Sequence, residues 1–213
     1  DKKLHTARII PERGSWVDFM VSGKGALQVR IDQQGKFSAL TLLRALNPEW
    51  GSDGQLLALF YGVEKVVRPK KGSKAKFASE IEGRLALEQI RDTRTGEEWV
   101  KSGQVITAEI AEHIAGSALT ELDLLVDPED PLIINSLKED TSSNHEEALS
   151  AIYAKLRPGN PVQLEKAREL LQDRFFNEAR YSLGKVGRFR ISRKFRRPDE
   201  ANNAPRTLQI EDF

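Results

Sequence analysis

The sequence predicts an α+β fold, with antiparallel strands in the N-terminal and middle parts packed with a helical C-terminal third. Three observations predict it. The first third consists of short apolar or alternating runs divided by Gly/Ser corners. The last third carries helix caps and apolar residues at helical spacing. Strand and helix signals also come in separate blocks, instead of the strict alternation of a parallel α/β sheet. With 213 residues, 39% of them hydrophobic, the chain is long enough to bury a sizeable core beneath a highly charged surface.

Taken in order, Ala7 to Ile10, Trp16 to Val21 and Leu27 to Ile31 read as strands, separated by Arg13-Gly14-Ser15 and by Ser22-Gly23-Lys24-Gly25. In the third run Leu27, Val29 and Ile31 face one way, and Gln28, Arg30 and Asp32 the other. Ser38 caps a helix through Leu40, Leu43 and Leu46 that stops at Asn47-Pro48, and a second short helix covers Gln55 to Tyr61. Val63 to Arg68 reads as a strand leading into a basic, solvated loop. Leu85 to Ile90 and Trp99 to Val105 pair across the turn at Thr93 to Gly96. Thr107 opens a helix that Gly116 ends, and Leu122 to Val126 forms a last strand. Farther on, Ser143 and Glu146 make a capping box, and Ala148, Leu149, Ile152, Tyr153 and Leu156 share one apolar face. Arg157-Pro158-Gly159 breaks that helix. Asn160 caps the next, with Pro161 at its first position and Leu164, Ala167, Leu170, Leu171 and Phe175 as the buried stripe.

Charge narrows the function. The net charge is only +1, so the chain as a whole attracts a polyanion weakly. Its distribution is uneven. The run from Lys65 to Lys76 holds no acid, and neither does Arg180 to Arg197, whereas Glu121 to Asp130 is acidic. No apolar run reaches the roughly 18–20 residues of a membrane span. The absence of cysteine excludes disulfides and thiolate chemistry, and fits a reducing cytosol. The start, Asp1 to His5, lacks both an initiating Met and an apolar signal region, which predicts a fragment of a longer protein.

Catalytic machinery is hard to assemble from these residues. His5, His113 and His145 lack metal-ligand spacing, and there is no glycine-rich phosphate loop. Asp18 and Asp32, on neighbouring strands, leave a paired-carboxylate hydrolase conceivable, against the blander reading of two separate surface acids. Binding is easier to argue. The segment from Arg180 to Arg197 interleaves basic residues with Tyr181, Phe189 and Phe195. Its cations can neutralise phosphates and its rings can stack on bases. It can equally be an amphipathic element with Val186, Phe189 and Ile191 inside. Trp16, behind an Arg-Gly-Ser corner, is either core or an open ring.

Several ordered motifs resemble one family. Ala7 to Pro11, Arg13-Gly14-Ser15-Trp16, Val29 to Asp32 and Leu42 to Leu46 are similar to the opening of the lobe of the bacterial RNA polymerase beta subunit. Asp140 to Ser143, Glu147 to Leu149, Ile152-Tyr153, Leu156 to Gly159, Phe175-Phe176, Arg180-Tyr181 and Val186 to Arg188 resemble its helical part, and Leu208 to Phe213 the start of the next segment. The resemblance implies that residues 1–213 are a single lobe of a larger subunit, with 67–130 as a variable, β-rich sub-part. It implies part of a DNA-directed RNA polymerase, a nucleotidyltransferase, with no catalytic residue in this stretch and the magnesium held by the beta-prime subunit. The lobe would line the DNA cleft, facing the non-template strand and downstream duplex. Beta-prime, alpha and sigma would be its partners in the bacterial cytoplasm, at the nucleoid, and the isolated fragment would be a monomer. On this reading Trp16 stacks on an unpaired non-template base and Asp32 lies in the same surface. Arg13 is added on physical grounds as a phosphate partner beside the ring. Arg180 and Arg188 read first as structural and second as phosphate contacts. Two departures weaken the expected affinity: Gln33-Gln34-Gly35 stands where the family carries arginines, and Glu12 where it often has an aromatic residue. A stand-alone RNA- or ribosome-associated module using residues 180–197 is the alternative, with the hydrolase third.

Overall fold

A computed structural model describes residues 4–69, 74–126, 128–197 and 204–213. They gather into two compact units, one built from Asp1–Gly51 with Lys138–Phe213 and the other from Ser52–Leu137. The second unit therefore begins ahead of the expected sub-part.

The first unit opens with an antiparallel meander of β1 (Thr6–Ile9), β2 (Val17–Val21), β3 (Leu27–Ile31) and β4 (Phe37–Ser38). Residue alternation sorts its two faces. Val17, Val29 and Ile31 are fully buried on one, while Arg8, Asp18 and Arg30 sit directly opposite one another across three strands on the other. α1 (Ala39–Leu46) follows, with the Ser38 side chain accepting from the Leu40 N–H. Asn47 ends it and caps a short 3-10 turn at Pro48–Trp50.

In the second unit α2 (Asp53–Phe60) begins with a full capping box between Ser52 and Gln55. β5 (Val63–Val67), α3 (Lys74–Ile81), β6 (Leu85–Ala86), β7 (Ile90–Arg91), β8 (Glu98–Val100), α4 (Ala108–Gly116), β9 (Glu121–Leu125) and α5 (Leu132–Glu139) follow. β9 is the centre of an antiparallel sheet ordered β5-β9-β6, and β7 pairs with β8 across the Asp92 turn. The expected hairpin holds at both ends, with Leu85 bridging Val105 and Ala86 bonding Gln104 and Gly103, and its outer residues, Leu85 and Ala86, also pair with β9 on their other side. Phe77, Ile81, Ile106, Ile114 and Leu124 are fully buried in the core of this unit. Two helices were not expected. α3 starts inside the basic run, where Phe77, Ala78 and Ile81 supply a buried face. α5 follows Asp130-Pro131, and the Asp130 carboxylate accepts from the Leu132 N–H, a start signal the sequence does contain.

The chain then returns to the first unit with α6 (His145–Leu156), α7 (Leu164–Leu171), which runs on into a π-helical turn at Gln172–Phe176, and α8 (Gly184–Lys194). Asn144, not Ser143, caps α6 by accepting from Glu147, and Glu147 reaches back to the Ser143 N–H. Asn160 does not cap α7. Its N–H closes the Arg157 turn, so the helix waits until Leu164. α6 packs on α1 and α7, and Leu149, Ile152, Leu171 and, from the π-helical turn, Phe175 join the buried sheet residues in one core. Each such side chain contributes about 1.5–3 kcal/mol on burial.

The inward face of α8 differs from expectation. Gly184, Arg188 and Ser192, one per turn, are buried, while Val186 is 67% exposed and Phe189 50%. The reason is an internal ion pair. Arg188 donates to both Asp212 carboxylate oxygens, at 3.0 and 2.9 Å, and to the Pro205 and Thr207 carbonyls. A second buried pair, Arg44 with Asp140 at 3.0 Å, joins α1 to the returning chain, and Thr41 and Ser142 add hydrogen bonds to that carboxylate. No helix among the described residues is long and apolar enough to cross a membrane.

Candidate nucleic-acid interface

The corner before β2 is fixed at both ends. Arg13 exchanges two backbone hydrogen bonds with Ser182, at 3.0 and 2.8 Å. Gly14 has φ +119, and a Cβ there would stand 2.5 Å from the Tyr181 ring, so only glycine fits. The Asp32 carboxylate then takes the other side: it accepts from the Trp16 N–H at 2.9 Å and the Ser15 hydroxyl at 2.7 Å. Asp32 also donates its own N–H to the Trp16 carbonyl at 3.0 Å and is itself held by Arg174. The corner is therefore a clamp and not the hinge that its Arg-Gly-Ser composition suggests.

Immediately after this clamp, Val17 is fully buried, which anchors the strand. The Trp16 ring is left 38% exposed, with the Arg8 guanidinium 5.8 Å from its centroid. An exposed indole on a rigid support loses little entropy when a second flat ring stacks on it.

Arg8 belongs to the polar row on the same sheet. It and Arg30 both bind the Asp18 carboxylate, Arg30 at 2.8 Å. Burial pushes the Asp18 carboxyl up, but hydrogen bonds and charge from Arg30 and Arg8 outweigh this and hold it below its ordinary value. The paired-carboxylate reading fails here. Asp18 and Asp32 are each neutralised by arginine, and a shared proton needs two carboxylates without such partners. Two of the three histidines are likewise occupied: the His113 ring stacks on Trp99, and His145 Nδ1 meets the Arg44 carbonyl at 2.6 Å. Among the described residues no three His, Asp or Glu side chains gather as a cation site.

The remaining sequence candidates separate. Arg13 is exposed beside the corner, its guanidinium donating to the Glu178 carbonyl at 2.8 Å. Arg180 is 66% exposed and pairs with Asp173 at 3.2 Å. Arg188 follows its first, structural reading, and its second, as a phosphate contact, falls away. Its side chain is 3% exposed and its donors are spent on Asp212 and two carbonyls, so it presents nothing to a ligand. In the other basic run, Arg68 is spent on the Ser117 and Ile114 carbonyls, Lys65 faces Glu121, and Lys70 and Lys71 lie outside the described residues. Arg174 and Arg157 were not expected. Both line a hollow of about 300 Å³ with Gly14, Ser15, Asp32 and Arg180. Arg174 lies 142 residues from Asp32, so no local spacing could announce the pair.

Comparison with known proteins agrees with this topology of motifs. The family model for RNA polymerase Rpb2, domain 2, matches residues 103–212, about half of the chain. The chain belongs to that family. The DNA-directed RNA polymerase subunit beta of Rhodopirellula baltica is 46% identical over 91% of this Rpb2-type chain. The subunits of the same name from Chlorobium chlorochromatii and Bdellovibrio bacteriovorus are 35% identical over 93% and 34% over 100% of it. This domain spans only 16%, 15% and 19% of those three relatives. Arg44 and Asp140, and Arg188 and Asp212, lie in the stretches that carried the resemblance, and their buried pairs explain why such a fold needs them.

Proposed function

We propose that this domain is the non-catalytic lobe of a DNA-directed RNA polymerase beta subunit, lining one side of the DNA cleft and stacking a non-template base on Trp16. Nucleotidyl transfer and its magnesium would belong to other parts of that cytoplasmic, nucleoid-associated enzyme, with beta-prime, alpha and sigma as neighbours. The observation that carries the reading is the exposed Trp16 ring on a corner fixed by Asp32, Arg174 and Ser182. Stacking of one base on an aromatic side chain contributes about 1–3 kcal/mol with little sequence preference. Arg13, exposed on the same corner, and Arg180, on the hollow that Ser15 also lines, carry positive charge that suits backbone phosphates. Asp32 acts from beneath, as the group that orients the corner.

The test is Trp16→Ala in the assembled polymerase. Assembly stays intact, while open promoter complexes shorten in lifetime or shift their start site. Unchanged lifetime and start-site choice would reject the stacking role.

A further inference from the structure

The sheet of the second unit leaves one edge open. β9 is its centre, and β5 lies at one end of the order β5-β9-β6. The ladder between them bonds Val126 to Gly62 and Arg68 to Thr120, in a register that sets Lys65 opposite Asp123. Antiparallel bonding alternates along a strand, so the N–H and C=O of Val63, Lys65 and Val67 point away from β9. Among the described residues none of these groups has a hydrogen-bond partner. Edges are commonly blunted by a proline, a bulge or an outstretched lysine. β5 has no proline and keeps an even register, and its Lys65 is drawn back toward β9 by Glu121 at 3.4 Å and Asp123 at 3.9 Å.

The two ends of this edge differ in chemistry. Around its start stand the exposed side chains of Leu59, Phe60, Val63 and Val126, the last of them beside Gly62. Past Val67 the sequence runs through Arg68, Lys70, Lys71, Lys74 and Lys76 without an acid. The Arg68 guanidinium lies 5.1 Å from the Phe77 ring, which holds α3 at this end, and Lys74 and Lys76 are exposed there.

We propose that the outer edge of β5 takes an extended segment of a partner protein as an added antiparallel strand. The segment carries acidic residues at the Val67 end and apolar residues at the Val63 end. Main-chain groups supply the affinity of such pairing, and side chains its selectivity. A second copy of this chain does not fit, because antiparallel pairing of two β5 strands about Lys65 sets like charges opposite each other. The edge shares no residue with the Trp16 corner, so it stands or falls apart from the stacking reading.

The test uses the assembled polymerase and a fluorescein-labelled peptide that begins with three glutamates and continues as alternating valine and threonine. Anisotropy should show saturable binding, and hydrogen exchange should slow in residues 62–68. Val67→Pro should weaken binding about tenfold, because it deletes an outward N–H while every bond to β9 stays. Val67→Thr keeps that N–H and should stay within about twofold. Replacing the glutamates with lysines should weaken binding about fivefold. Two further peptides, N-methylated on all valines or on all threonines, block one edge of the probe or the other. They should differ about tenfold in affinity, which decides the matter even if the proline variant loosens the sheet. Equal binding of the two, with duplex DNA competing, would mean capture of the acids by the basic run and would reject strand addition. Residues 62–68 already slow to exchange without peptide would mean that the polymerase itself covers this edge, which also overturns the proposal. Absence of binding to an edge that exchanges fast rejects it outright.

Discussion

Arg188 and Arg174 stand fourteen positions apart, each facing an aspartate from a distant part of the chain, yet the two pairs serve different ends. Arg188 and Asp212 are 3% and 0% exposed, and the guanidinium also closes two backbone carbonyls. Arg174 and Asp32 are 20% and 37% exposed, and their ion pair supports a corner that presents an open ring. The lesson is that a basic residue within a basic run is not thereby a contact for a polyanion. Its partners decide. Burial turns Arg188 into an internal brace, whereas partial exposure lets Arg174 hold a surface in shape.

Breaking the inner pair should cost most. Arg188→Ala leaves the buried Asp212 with one of its two arginines, and losing one partner of a buried pair costs about 3–5 kcal/mol. Thermal melting of the 213-residue chain should show the loss, and an unchanged midpoint would erase the distinction between the two pairs. Gly14→Ala comes next, at about 1–3 kcal/mol. It forces a left-handed backbone on alanine and drives Cβ into Tyr181. Full stability in that variant would show that the corner yields where it should be rigid.

Acid sharpens the comparison for the polar row. The folded carboxyl of Asp18 titrates below its unfolded value, so its stabilisation is present above about pH 4 and is lost as pH falls through the folded value. Asp18→Asn should flatten that acid limb in a pH series of denaturant melts. A limb of native steepness would place the effect on other carboxylates. Arg174→Ala should cost about 1 kcal/mol or less in stability, as exposed pairs do, while impairing open-complex lifetime through Trp16. Losing stability on the scale of Arg188→Ala would make it a second inner brace. Trp16→Ala should change melting by about 1 kcal/mol or less, since the residue is 38% exposed and its ring lies against Arg8. A large loss would mean that the ring supports the fold.

Much of the fold was legible in local pattern. Ser38 and Thr107 start helices where a side-chain oxygen meets first-turn N–H groups, and that chemistry is contained in a few adjacent residues. The meander was legible for the same reason, as alternation is read within one strand. Errors clustered where distant residues compete. Leu85 and Ala86 keep their hairpin contacts with Gly103 to Val105, but that they also pair with β9, some forty residues on, is not readable from the hairpin itself. Val186 and Phe189 turn outward because Arg188, satisfied by residues near the C-terminus, can occupy the inner face. At the site, the Arg-Gly-Ser-Trp corner was visible in the sequence, but Arg157 and Arg174 were not.

By itself, the sequence determined the α+β class, the helix starts at Ser38 and Thr107, the family and the candidate ring at Trp16. Each of these depends on near neighbours or on an ordered set of motifs. Only the tertiary structure decided that Trp16 is partly open, that Asp32 clamps its backbone, that Arg188 is internal and that Arg157 lines the hollow beside the corner. Exposure and charge pairing are properties of groups that meet through folding, and one deciding pair here, Arg174 with Asp32, lies 142 positions apart.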